Sequence, residues 1–335
     1  MSERGGGAGP GVTVSGVTRA LSVVVTGARG FVGEHLARLL AERGHRATAL
    51  QVRLPDRAGA LCAFRDARPE AIVHLAAVSY IPAAEKDPAT ALRINVDGTR
   101  SLLEALHEFD PQGATRFILV STGQVYRSGG SEPLTEESPL EPATAYARTK
   151  LAAELEAQLL CAVAPARPLV IVRPFNHTGP GQRPDFAAPS FAKQTAWIEA
   201  GLSPEPILST GALDVRRDFT DVRDVARAYA LAAEGQIPPG IYNVASGRAP
   251  RIEEIALHFR SRSRVPFEIR PKNEPSRQGE VKVFRGSAEK LASACGWRAE
   301  IPLEKTLDDL LEHWREEARR RTSQSATGTA RGKRE

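Results

Sequence analysis

The chain of 335 residues contains only three cysteines, Cys62, Cys161 and Cys295, far apart and without CxxC spacing. That excludes a disulfide-stapled scaffold and a cysteine-built zinc site, and suits a reducing compartment. No run reaches the roughly 18 consecutive apolar residues of a membrane-crossing helix, so no membrane partner is expected. The seven histidines show no metal-ligand pattern with acids or cysteines, and no metal is expected. The first 18 residues, MSERGGGAGPGVTVSGVT, lack the charged start and continuous apolar stretch of a secretion signal and read as a disordered tail. The expected location is the cytoplasm.

Charge of one sign is also lacking outside one end. The formal net charge is +5, and six basic residues and one acid between Arg319 and Glu335 account for it. That stretch is rich in Ser, Thr, Gly and Ala, without an apolar period, so 319–335 reads as a disordered basic tail and no nucleic-acid partner is expected.

What is present is a regular alternation. Short apolar runs at Leu21–Thr26, Ala71–Leu75, Phe117–Val120 and Leu169–Val172 read as buried strands. A further strand is expected at Arg46–Gln51. Helical spacing separates the runs at Phe31–Arg43, Asn95–His107 and Tyr146–Leu160. Strands apolar on both faces, alternating with helices, predict an α/β fold with a parallel sheet covered on each side. After Arg173 six prolines between Pro174 and Pro206 break the pattern into loops, with a helix near Phe191–Ala200. Val222–Ala233 and Leu303–Arg315 read as helices and Ile241–Val244 as a strand.

Gly27, Gly30 and Gly33 stand in TGARGFVG, directly after the first strand and before the first helix. This context is what makes a glycine-rich turn a dinucleotide-binding signal. Gly27 makes the turn, Gly30 admits a pyrophosphate and Gly33 lets helix and strand pack closely, while the helix N-terminus favours negative charge. The acid expected after the second strand is missing: Gln51, Val52 and Arg53 stand there, with Asp56 slightly later. Arg29 and Arg53 suit a 2′-phosphate as well as they suit plain solvent exposure. They tilt the choice between NADPH and NADH toward NADPH and leave it open.

Tyr146 and Lys150, in YARTK, lie one helical turn apart on one face. An adjacent ammonium is expected to lower the phenol's pKa and make Tyr146 a usable acid or base. Thr122 ends the fourth expected strand and offers a second hydroxyl for the same substrate oxygen.

TGARGFVG, HLAA at His74–Ala77, Asn95 in NVDGT, STGQVY at Ser121–Tyr126 and YARTK together resemble the extended short-chain dehydrogenase/reductases that modify nucleotide sugars. The likeness spans about Leu21 to Glu317. It implies a Rossmann-like doubly wound sheet with a smaller interleaved C-terminal lobe. Residues 19–175 with 216–248 would bind the dinucleotide, and 176–215 with 249–318 the nucleotide sugar. It further implies Thr122, Tyr146 and Lys150 as the catalytic set. Phe31, Val32, Leu75, Ala76, Ala77, Asn95 and Arg173 would join the glycine loop, Tyr146 and Lys150 around the cofactor, and a homodimer would form through the helices at Asn95–Glu108 and Tyr146–Leu160.

VRPFNHTGPGQ at Val172–Gln182 and RRDFTDVRDVARAY at Arg216–Tyr229 resemble the GDP-4-keto-6-deoxymannose reductases of that family. The resemblance implies a GDP-linked substrate gripped by Gln124, Asn176, Arg217, Arg277 and Glu280. Related dehydratases carry a carboxylate two residues after the catalytic Thr, where this chain has Gln124, so reduction without elimination is expected. Arg277-Gln278-Gly279 is closer to the family's epimerases. A 4-epimerase, a 4,6-dehydratase and a non-catalytic dinucleotide sensor or scaffold are the competing readings.

Overall fold

The computed structural model describes residues 19–127, 130, 132–163, 167–272 and 281–331, the last eight through their backbone. The expected tail 1–18 and the expected site residues Arg277 and Glu280 lie outside that range.

Six parallel strands form the central sheet: β1 (Ser22–Thr26), β2 (Arg46–Ala49), β3 (Ala71–His74), β4 (Arg116–Val120), β5 (Leu169–Pro174) and, later in the chain, a strand at Gly240–Val244. The spatial order is β2-β1-β3-β4-β5 followed by Gly240–Val244. The chain thus moves one way from β1 to β2 and then restarts on the other side of β1 with β3. Ligands of open α/β sheets bind at such a reversal, beyond the strands' carboxyl ends.

The continuous apolar runs are explained by burial on both faces. Val23 and Val25 pack beneath helices α1 (Phe31–Glu42) and, further on, Val222–Ala233, while Val24 faces away from them. On that opposite face Ile72, Phe117 and Leu119 meet α2 (Arg57–Ala67), and, beyond the short helices α3 (Ile81–Lys86) and α4 (Pro88–Leu92), α5 (Gly98–Phe109) and α6 (Ala145–Val163). Helix α2 is absent from the sequence reading. Asp56 caps it by accepting from Gly59 N at 2.9 Å, and Leu61 and Phe64 turn inward. Burying two such side chains stabilises the fold by roughly 1.5–3 kcal/mol each.

The second half contributes β6 (Asn176–Thr178), α7 (Ala187–Glu199), β7 (Ile207–Thr210), β8 (Arg216–Arg217), β9 (Phe219–Asp221), α8 (Val222–Ala233), β10 (Gly240–Val244), α9 (Ile252–Arg262), β11 (Glu268–Pro271), β12 (Val283–Phe284), α10 (Glu289–Cys295) and α11 (Leu303–Arg331). Three short parallel pairs, β6–β9, β7–β11 and β8–β12, replace the loops expected from the prolines. A separate apolar cluster joins α7, α9 and α11 through Phe191, Phe259 and Leu310.

One expectation is corrected here. Helix α11 does not stop near Arg315 but continues to Arg331, through most of the segment expected to be a disordered basic tail. An ion pair three residues apart, Arg320–Glu317, supports the extension, and Ala318 is buried on it.

Candidate active site

Gly27 follows β1 with φ +68°, a left-handed conformation that glycine adopts without strain. A Cβ there would lie 3.0 Å from the backbone nitrogen of Ala76, so the ends of β1 and β3 approach closely only because the residue is glycine. At Gly33 a Cβ would lie 2.3 Å from the carbonyl oxygen of Gly27, which fixes the contact of α1 with the turn. Gly30 caps α1, and its N–H donates to Gly27 O at 2.9 Å. Gly27, Arg29 and Gly30 are exposed, leaving an open, positively polarised helix end without intruding side chains. A dinucleotide pyrophosphate fits that cradle.

Around it stand the residues expected to complete the cofactor site. Phe31 and Val32 are half-buried in the first turn of α1, and the Phe31 ring stacks on His177 with centroids 6.1 Å apart. Leu75, Ala76 and Ala77 follow β3, and Ala76 N donates to Thr26 Oγ1 at 3.0 Å. Arg53 is exposed beyond β2. Asp56, the nearest acid downstream, is engaged as the cap of α2.

Asn95, expected around the cofactor, is held by groups of the protein itself. It sits in a one-turn π-helix, Arg93–Asp97, between α4 and α5, and is 1% exposed. Its Oδ1 accepts from Val78 N at 2.8 Å, and its Nδ2 donates to Thr149 Oγ1 at 2.9 Å. Thr149 Oγ1 in turn donates to Tyr146 O at 2.8 Å. Asn95 therefore braces the loop after β3 against α6. Arg173, also expected around the cofactor, is engaged within the protein as well. Its guanidinium is buried, donating to Glu154 at 3.0 and 2.5 Å and to the Tyr126 hydroxyl at 2.9 Å.

Tyr146 opens α6, packed against Val78 and Ile81, with the Thr122 side chain near enough to its hydroxyl to favour the phenolate. Lys150 follows one turn later, 3% exposed. The expected lowering of the phenol's pKa is not found. Burial pushes Tyr146 up to about 12, against the opposing influence of Thr122. Burial also brings Lys150 down to about 8, with the Glu154 carboxylate acting the other way. The phenol is thus neutral at physiological pH and arranged as a proton donor, while the lysine remains mostly an ammonium.

Residues 23–245 match the NAD dependent epimerase/dehydratase family. The chain belongs to that family. Within it, the chain is 36% identical over 306 residues to a GDP-6-deoxy-D-mannose reductase of Pseudomonas aeruginosa, covering 88% of this chain and 97% of that one. A UDP-glucose 4-epimerase of Halalkalibacterium halodurans is 25% identical, with 89% and 96% covered. Among solved structures, RMD of Pseudomonas aeruginosa complexed with NADPH superposes with a TM-score of 0.82 at 34% identity, covering 89% of this chain and 100% of that chain. A UDP-glucose 4-epimerase of Thermus thermophilus complexed with NAD gives 0.76 at 27% identity, with 88% and 98% covered. The Rossmann-type sheet and the turn at Gly27–Gly33 are therefore those of an epimerase/dehydratase-family enzyme.

Of the residues expected to bind substrate, Gln124 is half-buried in a 3₁₀ turn, Gly123–Val125, whose start is capped by Thr122 Oγ1. Asn176 is half-buried at the start of β6. Arg217 donates to the carbonyls of Arg216 and Val281 at 2.9 and 2.7 Å. The sequence reading missed several supporting residues. His74 bridges Thr26 and Thr99, and Glu154 joins Ser121 to Arg173. Glu154 lies four residues after Lys150, so its place on the catalytic face was readable from helical spacing.

Proposed function

We propose that the protein uses NADPH to reduce the C4 keto group of a nucleotide-linked 4-keto-6-deoxy sugar. The substrate is GDP-4-keto-6-deoxy-D-mannose, and the product GDP-D-rhamnose or its 4-epimer. One observation carries the reading. A neutral phenol, Tyr146, faces Thr122 and is followed one helical turn later by the buried Lys150, in a chain aligned with 97% of a GDP-6-deoxy-D-mannose reductase.

A reduced nicotinamide, when bound, supplies a hydride to C4. Gly27, Gly30 and Gly33 would hold its pyrophosphate, and Arg29 and Arg53 a 2′-phosphate. Tyr146 donates its proton to the carbonyl oxygen, and Thr122 holds that oxygen by a hydrogen bond. Lys150 stabilises the phenolate left on Tyr146. Gln124, Asn176, Arg217, Arg277 and Glu280 bind the sugar nucleotide, so that remote binding energy orients the reacting carbon. Gln124 supports reduction over dehydration, because an amide cannot serve as the acid or base of elimination.

Residues 19–175 with 216–248 then form the cofactor lobe, and 176–215 with 249–318 the sugar-nucleotide lobe. The chain is read as a homodimer through α5 and α6. On α6, Leu155, Leu159 and Val163 recur every four residues and are 58%, 63% and 77% exposed. Its place is the cytoplasm: all three cysteines are unpaired, and no described helix is long and apolar enough to cross a membrane.

The test is to mix the protein with GDP-4-keto-6-deoxy-D-mannose and either NADPH or NADH. Loss of nicotinamide absorbance matched to product, identified by NMR, is expected. Silence with GDP-, dTDP- and UDP-linked ketosugars overturns the reading. Turnover without added cofactor, by protein that purifies with NAD attached, shows an epimerase instead.

A further inference from the structure

Behind the Tyr146–Lys150 pair lies a buried polar chain with no place in the scheme above. Glu154 is the third residue of the α6 face that begins with Tyr146 and Lys150, and it is 1% exposed. Its Oε1 accepts from the Ser121 hydroxyl and from Arg173 Nε at 3.0 Å, and its Oε2 accepts from Arg173 Nη2 at 2.5 Å. Arg173 Nη1 donates to the Tyr126 hydroxyl, which donates to Asn243 Oδ1 at 2.8 Å. Ser121 directly precedes Thr122, and Tyr126 ends the turn that carries Gln124. One carboxylate therefore ties the Thr122 segment, α6 and β5 together.

The ionisable groups around Lys150 are Tyr146 and Glu154 on α6, His74 on β3 and, behind Glu154, Arg173 on β5. His74 is kept neutral by burial and by the charge of Lys150 itself, and Tyr146 is a neutral phenol. Among the described residues Glu154 is the anion that acts on Lys150. We propose that Glu154 is a positioning residue of the reaction: through its buried contacts with Ser121 and Arg173 it aligns Thr122 with Tyr146 and holds Lys150 as an ammonium, while Arg173 limits how strongly it does so. A merely structural ion pair would fasten β5 to α6 without regard to the protonation of Lys150.

The distinction is one of sign. Glu154→Gln removes the carboxylate and leaves Arg173 unopposed, so Lys150 loses its proton at lower pH. Arg173→Met leaves the carboxylate uncompensated and moves that deprotonation to higher pH. The readouts are the alkaline midpoint of NADPH affinity, followed by nicotinamide fluorescence, and that of kcat. The expected displacement for Glu154→Gln is about one pH unit downward, or about tenfold weaker NADPH binding above the midpoint. Arg173→Met should displace the midpoint upward, and Arg173→Lys, which keeps the charge, should leave it unmoved while kcat falls.

Opposite displacements in the first two variants support the proposal. Midpoints that stay at the wild-type value while thermal stability drops overturn it, as does an Arg173→Lys displacement as large as that of Arg173→Met. Should Arg173→Met not fold, Glu154→Gln and Arg173→Lys still decide the matter. The inference rests on the reductase reading only for kcat. If wild-type protein reduces no ketosugar, that reading fails, and the midpoint of NADPH binding still tests the role of Glu154.

Discussion

Thr26 Oγ1 and His74 Nδ1 lie 2.7 Å apart on neighbouring strands, at the reversal of the sheet order. The other imidazole nitrogen meets Thr99 Oγ1 at 3.1 Å, so the ring spans from β1 to α5. Burial, helped by the charge of Lys150, holds this imidazole down to about 3. The unfolded chain takes up the proton near pH 6.5 and the folded chain does not. His74 therefore contributes stability that is complete above pH 6.5 and lost as pH falls toward 3. Between pH 6.5 and 5 the loss amounts to about 2 kcal/mol. Urea unfolding of wild type and His74→Asn across this range should show a fall in stability that is smaller by this amount in the variant.

Gly33→Ala places a methyl group against the carbonyl of Gly27 and the backbone of Ala28. Helix α1 must retreat from the turn, at a destabilisation of about 1–3 kcal/mol. NADPH binding, measured by fluorescence or calorimetry, is expected to weaken at least about 100-fold, because the displaced helix end no longer meets the pyrophosphate.

Tyr146→Phe removes the donated proton and keeps the ring's packing against Val78 and Ile81. The expected loss in kcat is on the order of 100- to 10,000-fold with little change in NADPH affinity. Steady-state kinetics beside a binding titration separates the two. Thr122→Val should lower kcat less, since Tyr146 remains.

Cofactor choice is tested at the two exposed arginines. Arg29→Ser with Arg53→Ser should raise the KM for NADPH about tenfold and leave that for NADH nearly unchanged, because only NADPH carries the 2′-phosphate. Equal effects on both cofactors would remove the arginines from this role.

Leu155→Glu with Leu159→Glu puts charges on the exposed stripe of α6. If that stripe is the dimer contact, light scattering after size-exclusion chromatography should show a dimer for wild type and a monomer for the variant.

The central sheet was legible because its strands are apolar on both faces, and the glycine turn because strand and helix flank it directly. Helix α2 was not. Its two large inward residues, Leu61 and Phe64, stand among Arg57, Arg65 and alanines, so the apolar period is weak and only the Asp56 cap announces it. The pairs β6–β9 and β8–β12 escaped notice because two- and three-residue strands carry no period. Among site residues, those whose roles rest on backbone space, Gly27 and Gly33, were readable from their neighbours in sequence. The protein partners of Asn95 and Arg173 were not readable, because each lies well away in the chain, Thr149 for one and Glu154 for the other.

The single π turn at Arg93–Asp97 makes the length of this segment functionally significant. A regular helix turns about 100° per residue, and the π turn absorbs one residue more than a regular helix would. Removing any one residue between Arg93 and Asp97 would let α4 and α5 fuse into an ordinary helix. Either Asn95 would then swing off Val78, or Leu102, Leu103 and Leu106 would rotate out of their seats against the sheet. The count of residues here, as much as their identity, sets where the loop beside Tyr146 comes to rest.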